Sequence, residues 1–254
     1  MKSHLALIAV CLGITLNSNG AHAQTLAQVK QRGQLICGSN TGQPGFALPD
    51  PQGKWVGLDV DYCHAIAAAV LGDATKVKFL PLDATSRFES LKSGAVDVLV
   101  RNTTWTLSRD SSQGLDFEVT NFYDGQGFLV RKKMNIKSVR ELDGASICVG
   151  QGTTTELNLA DYFRTNNMKY EVVAFKTVDE VVNAYENGRC DAMTDDASGL
   201  AGNRVKLAVP DDHIILPEII SRSPSPPRCA RAIRNGRPSC AGCTSPCSMP
   251  RRQA

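Results

Sequence analysis

Residues 88–97 read Phe-Glu-Ser-Leu-Lys-Ser-Gly-Ala-Val-Asp, and residues 182–191 read Val-Asn-Ala-Tyr-Glu-Asn-Gly-Arg-Cys-Asp, at a constant offset of 94. In each passage an amphipathic run stops at a glycine (Gly94, Gly188) and an aspartate (Asp97, Asp191) opens a short apolar run. A glycine that ends a helix and an aspartate that starts a strand are also common junctions in unrelated α/β chains; the repetition gives them weight. Working outward, the first copy is flanked by strands at Leu35–Cys37, Val77–Leu80 and Val96–Val100, with helices at Asp59–Leu71 and Ser86–Lys92 between them. The second copy repeats the plan: strands Ser146–Val149, Glu171–Phe175 and Cys190–Met193, helices Thr155–Phe163 and Val178–Asn187. Short apolar runs alternating with amphipathic ones predict parallel strands joined by crossover helices. The expected fold class is therefore α/β: two lobes over 24–125 and 134–221, each a small doubly wound sheet, with 126–133 as an extended hinge or connector.

The chain has 254 residues, 42% hydrophobic and 21% charged, which excludes fibrous and wholly disordered classes. Its net charge of +3 is unevenly spread: Lys2 and the seven arginines from Arg222 onward set aside, residues 24–221 carry 20 basic against 25 acidic groups. No general basic surface argues for nucleic acid. At the start, Lys2, an apolar run from Leu5 to Leu16 and the small-x-small sequence Ala21-His22-Ala23 form a secretory signal, with cleavage expected after Ala23. Twelve apolar residues rise only about 18 Å as a helix, short of a hydrocarbon core of roughly 30 Å. The mature chain is thus expected in an oxidising, periplasmic compartment.

Eight cysteines remain after the leader. Cys148 and Cys190 fall on the first and third strands of the second lobe, neighbours in a doubly wound sheet, and are expected to form a disulfide. Cys37 and Cys63, on a strand and the next helix of the first lobe, are candidates for a second, buried free thiols being the alternative for both pairs. Cys229, Cys240, Cys243 and Cys247 lack the second paired knuckle of a zinc site, so no metal is expected.

Enzyme motifs are missing. There is no Gly-x-Ser-x-Gly elbow and no phosphate-binding loop, Gly125-Gln-Gly127 lacks the third glycine of a dinucleotide turn, and only His64 and His213 outlast the leader. No cofactor is expected; carboxylate chemistry stays open. What the strand ends do carry is polar: Arg101-Asn-Thr-Thr-Trp-Thr-Leu-Ser-Arg109 after one, Gly150-Gln-Gly-Thr-Thr-Thr155 before a helix start, and Asp195-Asp196 after another. An arginine for a carboxylate, hydroxyls and amides around it, and an acid for an ammonium suit a free α-amino acid. Singly, each group reads as a surface ion pair or a helix cap.

These stretches also carry a resemblance. Gly57-Leu-Asp-Val-Asp61, Val98 through Asp110, Asp124-Gly-Gln-Gly-Phe128, Gly150 through Phe163 and Gly188 through Asp196 together resemble the periplasmic solute-binding proteins of polar amino-acid ABC transporters, most closely the general L-amino-acid-binding branch. The resemblance runs from Gly33 to about Ser221. It implies a two-lobe periplasmic-binding-protein fold that closes on a free L-amino acid and delivers it, as a monomer, to membrane permease subunits. By position it implies that Arg109 grips the ligand α-carboxylate with help from Thr104, the Asn102 region and Thr154, that Asp195 takes the α-ammonium, and that Asn40 and Gln43 line the pocket. Trp105 reads as core rather than as a platform for the ligand side chain.

The resemblance stops after Ser221. Of residues 222–254, 26 of 33 are Arg, Pro, Ser, Cys or Ala and none is acidic, a composition expected to stay disordered and typical of out-of-frame reading. The segment that returns to the first lobe in relatives is thus expected to be missing. The competing function on the same scaffold is a periplasmic lyase of the cyclohexadienyl-dehydratase type, and a sensing domain clipped from a receptor is a third reading.

Overall fold

A computed structural model of the chain describes residues 24–221 and 230–232. The expected leader and most of the expected tail lie outside the described residues. The first lobe opens with α1 (Gln24–Arg32) and β1 (Leu35–Ser39), followed by the hairpin β2 (Leu48–Pro49) and β3 (Trp55–Val56). Next come α2 (Leu58–Leu71), β4 (Val77–Pro81), α3 (Arg87–Lys92), β5 (Val98–Val100) and α4 (Leu107–Ser111). The second lobe holds β6 (Gln126–Arg131), β7 (Ser146–Gly150), α5 (Thr154–Thr165), β8 (Glu171–Phe175), α6 (Val178–Glu186), β9 (Ala192–Asp196), α7 (Ala197–Arg204) and β10 (His213–Ile215).

Both sheets share one plan. In the first, β5, β1 and β4 lie side by side and parallel; in the second, β9, β7 and β8 do the same. The repeated aspartate explains the likeness at atomic level. Asp97 accepts the Ile36 N–H at 2.7 Å while its own N–H reaches the Ile36 carbonyl at 2.9 Å. Asp191 accepts the Ser146 N–H at 2.8 Å and returns its own N–H to the Ser146 carbonyl at 2.9 Å. Each acid therefore satisfies a backbone donor where the pairing of neighbouring strands begins, a group that would otherwise lose its solvation unanswered. Gly94 and Gly188, at φ of 77° and 78°, make the left-handed turn from helix to strand.

The lobes bury separate cores. Helix α2 turns Cys63 and Ala67 inward at helical spacing, against Leu35, Cys37 and Val98. In the second lobe Phe128, Ile147, Leu159 and Phe163 pack on one sheet face and Cys148, Val182, Tyr185 and Met193 on the other. Burying each of the largest of these side chains contributes about 1.5–3 kcal/mol. Disulfides join Cys37 to Cys63 and Cys148 to Cys190, with Cα atoms 6.2 and 5.7 Å apart, so both expected pairs form.

Two expectations need correction. The stretch expected as a connector, 126–133, is largely β6, which lies between β10 and β9 inside the second sheet and runs antiparallel to both. Its unbroken burial, Gln126 through Val130, marks it as a strand covered on both faces. The chain instead crosses just before it: Phe122 packs edge-on against Phe46 of the first lobe, while Asp124 accepts from the Ser198 N–H of the second. In the segment expected to have no regular structure, Ala230–Ala232 (β11) pairs antiparallel with β5. A short return to the first sheet thus exists, where β5 has β11 as its antiparallel neighbour just as β9 has β6.

Candidate functional site

Open α/β sheets present their ligand groups beyond the carboxyl ends of the parallel strands. Here four such ends converge: β1 runs into Asn40–Gln43, β5 into Arg101–Thr104, β7 into Gly150–Thr154, and β9 ends on Asp195 and Asp196. The two lobes touch across this cleft. The Thr104 and Thr154 hydroxyls are 2.9 Å apart, and the Lys206 ammonium donates to the Gly42 carbonyl at 2.8 Å. Helix α7 meets the first lobe with a face free of side chains: a Cβ at Gly202 would lie 3.1 Å from the Pro44 carbonyl oxygen, and one at Gly199 would lie 3.0 Å from Gln43 Nε2 and 2.7 Å from Asp195 Oδ2.

The residues after β1 and β5 form one hydrogen-bonded chain. Asn40 Nδ2 donates to Gln43 Oε1 at 3.2 Å and to Asn102 Oδ1 at 2.7 Å, and Asn102 Oδ1 also accepts from Arg101 Nη2 at 3.0 Å. Asn40 and Gln43 are each 1% exposed, so the chain is locked by burial. Arg109, on α4, is held by Thr106, whose hydroxyl caps the helix by accepting the Arg109 N–H at 3.2 Å, and by its own Nη1, which donates to the Thr104 carbonyl at 2.7 Å.

Three arginines crowd the first-lobe wall: Arg87, Arg101 and Arg109 are all fully or nearly buried. Burial pushes the Arg109 guanidinium down to about 10, and the charge of Asp196 works against that fall. Arg87, stacked over Phe88 and donating to Thr103 Oγ1 at 3.2 Å, is pushed well below its usual range by burial and by the like charges of Arg101 and Arg109, against the pull of Asp196 and Asp83. Burial raises the carboxyl of Asp83, but hydrogen bonds from Thr85 and Ser86 outweigh it and hold the group at about 2. The wall is thus a desolvated cationic surface, suited to an anion entering with its charge.

Between the walls lies a cavity of about 40 Å³, lined from the first lobe by Thr41, Asp83, Arg101 and Asn102 and from the second by Thr153, Thr177, Asp195 and Asn203, among others.

The structure therefore brings Asn40, Gln43, Asn102 and Asp195 around one cavity and its hydrogen-bonded rim, and Thr104, Thr154 and Arg109 into a second group beside it. Asp195 and Asp196 both stand at the cleft end of β9. The carboxylate whose charge acts on Arg109 is Asp196, while Asp195 faces the cavity with Arg101. Sequence reading passed over Arg87 and Asn203, and gave no role to Arg101 although it opens the polar stretch after β5. A signal for Arg87 was available: a cation in the first turn of a helix opposes the dipole and needs a tertiary reason. Trp105 stacks on Phe117 of the first-lobe core, with ring centroids 5.8 Å apart, as expected for a packing residue.

Comparison with known proteins agrees with this architecture. Residues 35–169 match the family model described as bacterial extracellular solute-binding proteins, family 3. The chain is 53% identical over 237 residues to the general L-amino acid-binding periplasmic protein AapJ of Rhizobium johnstonii, covering 93% of this chain and 68% of that one. It is 55% identical over 221 residues to the glutamate/glutamine/aspartate/asparagine-binding protein BztA of Rhodobacter capsulatus, covering 87% and 64%. Among solved structures, a periplasmic binding protein of an ABC transporter from Brucella ovis with glutathione bound superposes with a TM-score of 0.80 at 58% identity, covering 85% of this chain and 66% of that one. The chain spans about two thirds of the length of these relatives.

Proposed function

The chain belongs to the bacterial extracellular solute-binding proteins of family 3, and from that premise we propose that it captures a free L-amino acid between its lobes and delivers it to the permease of an ABC transporter. The observation that carries this reading is the Thr104–Thr154 contact that joins the lobes at 2.9 Å, beside the buried Arg109, whose Nη1 donates to the Thr104 carbonyl. In this reading Arg109 takes the α-carboxylate with the Thr104 and Thr154 hydroxyls, and the acidic end of β9, Asp195 or Asp196, takes the α-ammonium. Closure removes water from these charge-assisted bonds, each contributing about 1.5–3 kcal/mol net. Export to the periplasm after cleavage at Ala23, action as a monomer and the absence of catalysis belong to the same proposal. They draw on the leader's sequence and on relatives named as binding proteins.

Calorimetric titration of the purified chain with the twenty amino acids tests the proposal. Saturable one-to-one binding, with the ligand recovered chemically unchanged, is expected; conversion of the ligand would instead favour the lyase reading, and no binding to a folded protein would end the transport one.

A further inference from the structure

Besides the Thr104–Thr154 contact, the lobes meet at a second place. Helix α7 packs on β6, β9 and β10 of the second lobe, and its far side reaches the loop after β1 in the first. Lys206, just beyond α7, sends its ammonium to two acceptors: the Gly42 carbonyl at 2.8 Å and the Asp179 carboxylate, in the first turn of α6, at 3.3 Å. Asp179 belongs to the same lobe as Lys206, so that pair steadies the ammonium while the bond to Gly42 crosses between lobes. The Lys206 side chain is only 25% exposed, which limits how far water weakens the crossing bond.

One turn earlier, Gly202 lets the helix and the loop approach closely. A Cβ there would lie 3.1 Å from the Pro44 carbonyl oxygen and 3.3 Å from Pro44 Cβ, nearer than ordinary van der Waals contact. Glycine inside a helix is destabilising relative to alanine, and at Gly202 the close approach across the lobes offsets that loss. None of Gly42, Pro44, Gly202 and Lys206 lines the cavity between the walls. Both sides of this contact are parts of the chain, so it forms without a ligand. Apparent affinity scales with the fraction of molecules already in the binding-competent arrangement. A contact of this kind therefore strengthens binding of every ligand by the same factor.

We propose that Lys206 and Gly202 form a latch with the Gly42–Pro44 loop that holds the lobes together before a ligand arrives, and that Lys206 is a positioning residue setting affinity without selecting among ligands. The effect on affinity rests on the reading of the cleft as an amino-acid site; the latch itself does not.

Residual dipolar couplings on the ligand-free full chain, which report the relative orientation of the two lobes, test the latch directly. Wild-type couplings should fit the arrangement in which Lys206 reaches Gly42, and Lys206→Met and Gly202→Leu should shift them towards a more open one. Gly202→Ala puts one carbon into the seam and a better helix former into α7. It should shift the couplings less while leaving the urea midpoint no lower than wild type, which separates opening from unfolding. Calorimetry with the two amino acids that the wild-type chain binds most tightly reads the consequence: Lys206→Met should weaken both about tenfold and leave their ratio unmoved. Ligand-free wild-type couplings as open as those of the variants, or wild-type couplings in Lys206→Met, would overturn the latch. A changed ratio would make Lys206 a selecting residue and overturn the role assigned to it. Failure of every amino acid to bind would overturn the reading of the cleft, and the couplings would still decide the latch.

Discussion

The two lobes are the same scaffold with different residues at the cleft ends of equivalent strands, basic and amide on one and acidic on the other. At the offset of 94 that relates them, Asp97 and Asp191 make the same bond to the neighbouring strand, and the strand orders agree. Four residues further on the copies part: Arg101 stands where the second lobe has Asp195, and Asn102 where it has Asp196. The repeated element is the one that backbone pairing demands, and the divergent element is the one that faces the cleft. A ligand with two poles is best met by walls of this kind, because each pole finds its counter-charge on a different lobe and closure brings both into low dielectric.

Several substitutions would break or sharpen that comparison. The largest effect is expected from the disulfides. Opening Cys148–Cys190 with serines frees a loop of 42 residues and opening Cys37–Cys63 one of 26, so urea unfolding should register losses of about 4 and about 3.5 kcal/mol, the second lobe suffering slightly more. Next, Arg109→Met should lower amino-acid affinity about 100-fold in a calorimetric titration, the equivalent of a lost charge-assisted pair of about 3 kcal/mol. Of Asp195→Asn and Asp196→Asn, the one that costs more affinity marks the acid that takes the ammonium. Third, Asp97→Ala and Asp191→Ala should each destabilise by about 1–3 kcal/mol, because each leaves a strand N–H without its acceptor; a clearly unequal pair in chemical denaturation would show that the two junctions are not equivalent.

The smallest effect concerns acid. Asp83 precedes α3, and its counterpart at the same offset is Thr177, the cap of α6, whose hydroxyl accepts the Glu180 N–H at 3.3 Å. Asp83 is held at about 2, below the usual carboxylate value near 3.9. A depressed carboxyl lends stability that is complete above the unfolded value and lost as pH falls through the folded one. Between about pH 4 and 2 the start of α3 should therefore loosen, as read by amide exchange, and Asp83→Asn should remove that acid dependence.

Much of this was legible from residue order alone. Strands and helices of both lobes follow from periodicities of 2 and 3.6, Gly94 and Gly188 from the turn that only a left-handed residue makes easily, and both disulfides from which strands and helices had to be neighbours. Residues 126–131 were misread because an apolar run beside glycines does not say whether it lies between lobes or inside a sheet; only the pairing with β9 and β10 decides. The ligand groups were legible as a set, since a guanidinium, amides, hydroxyls and acids recur at strand ends.

The chain's own order thus determined the two α/β lobes, their cysteine pairs and the chemical character of the cleft, because these depend on local patterns and on which elements are neighbours in sequence. Tertiary structure alone decided that Arg87, Arg101 and Arg109 are all buried on the first-lobe wall and that Asn203 lines the cavity. Those facts depend on side-chain direction and on burial across two lobes about a hundred residues apart in sequence, which residue order carries only through the fold it specifies.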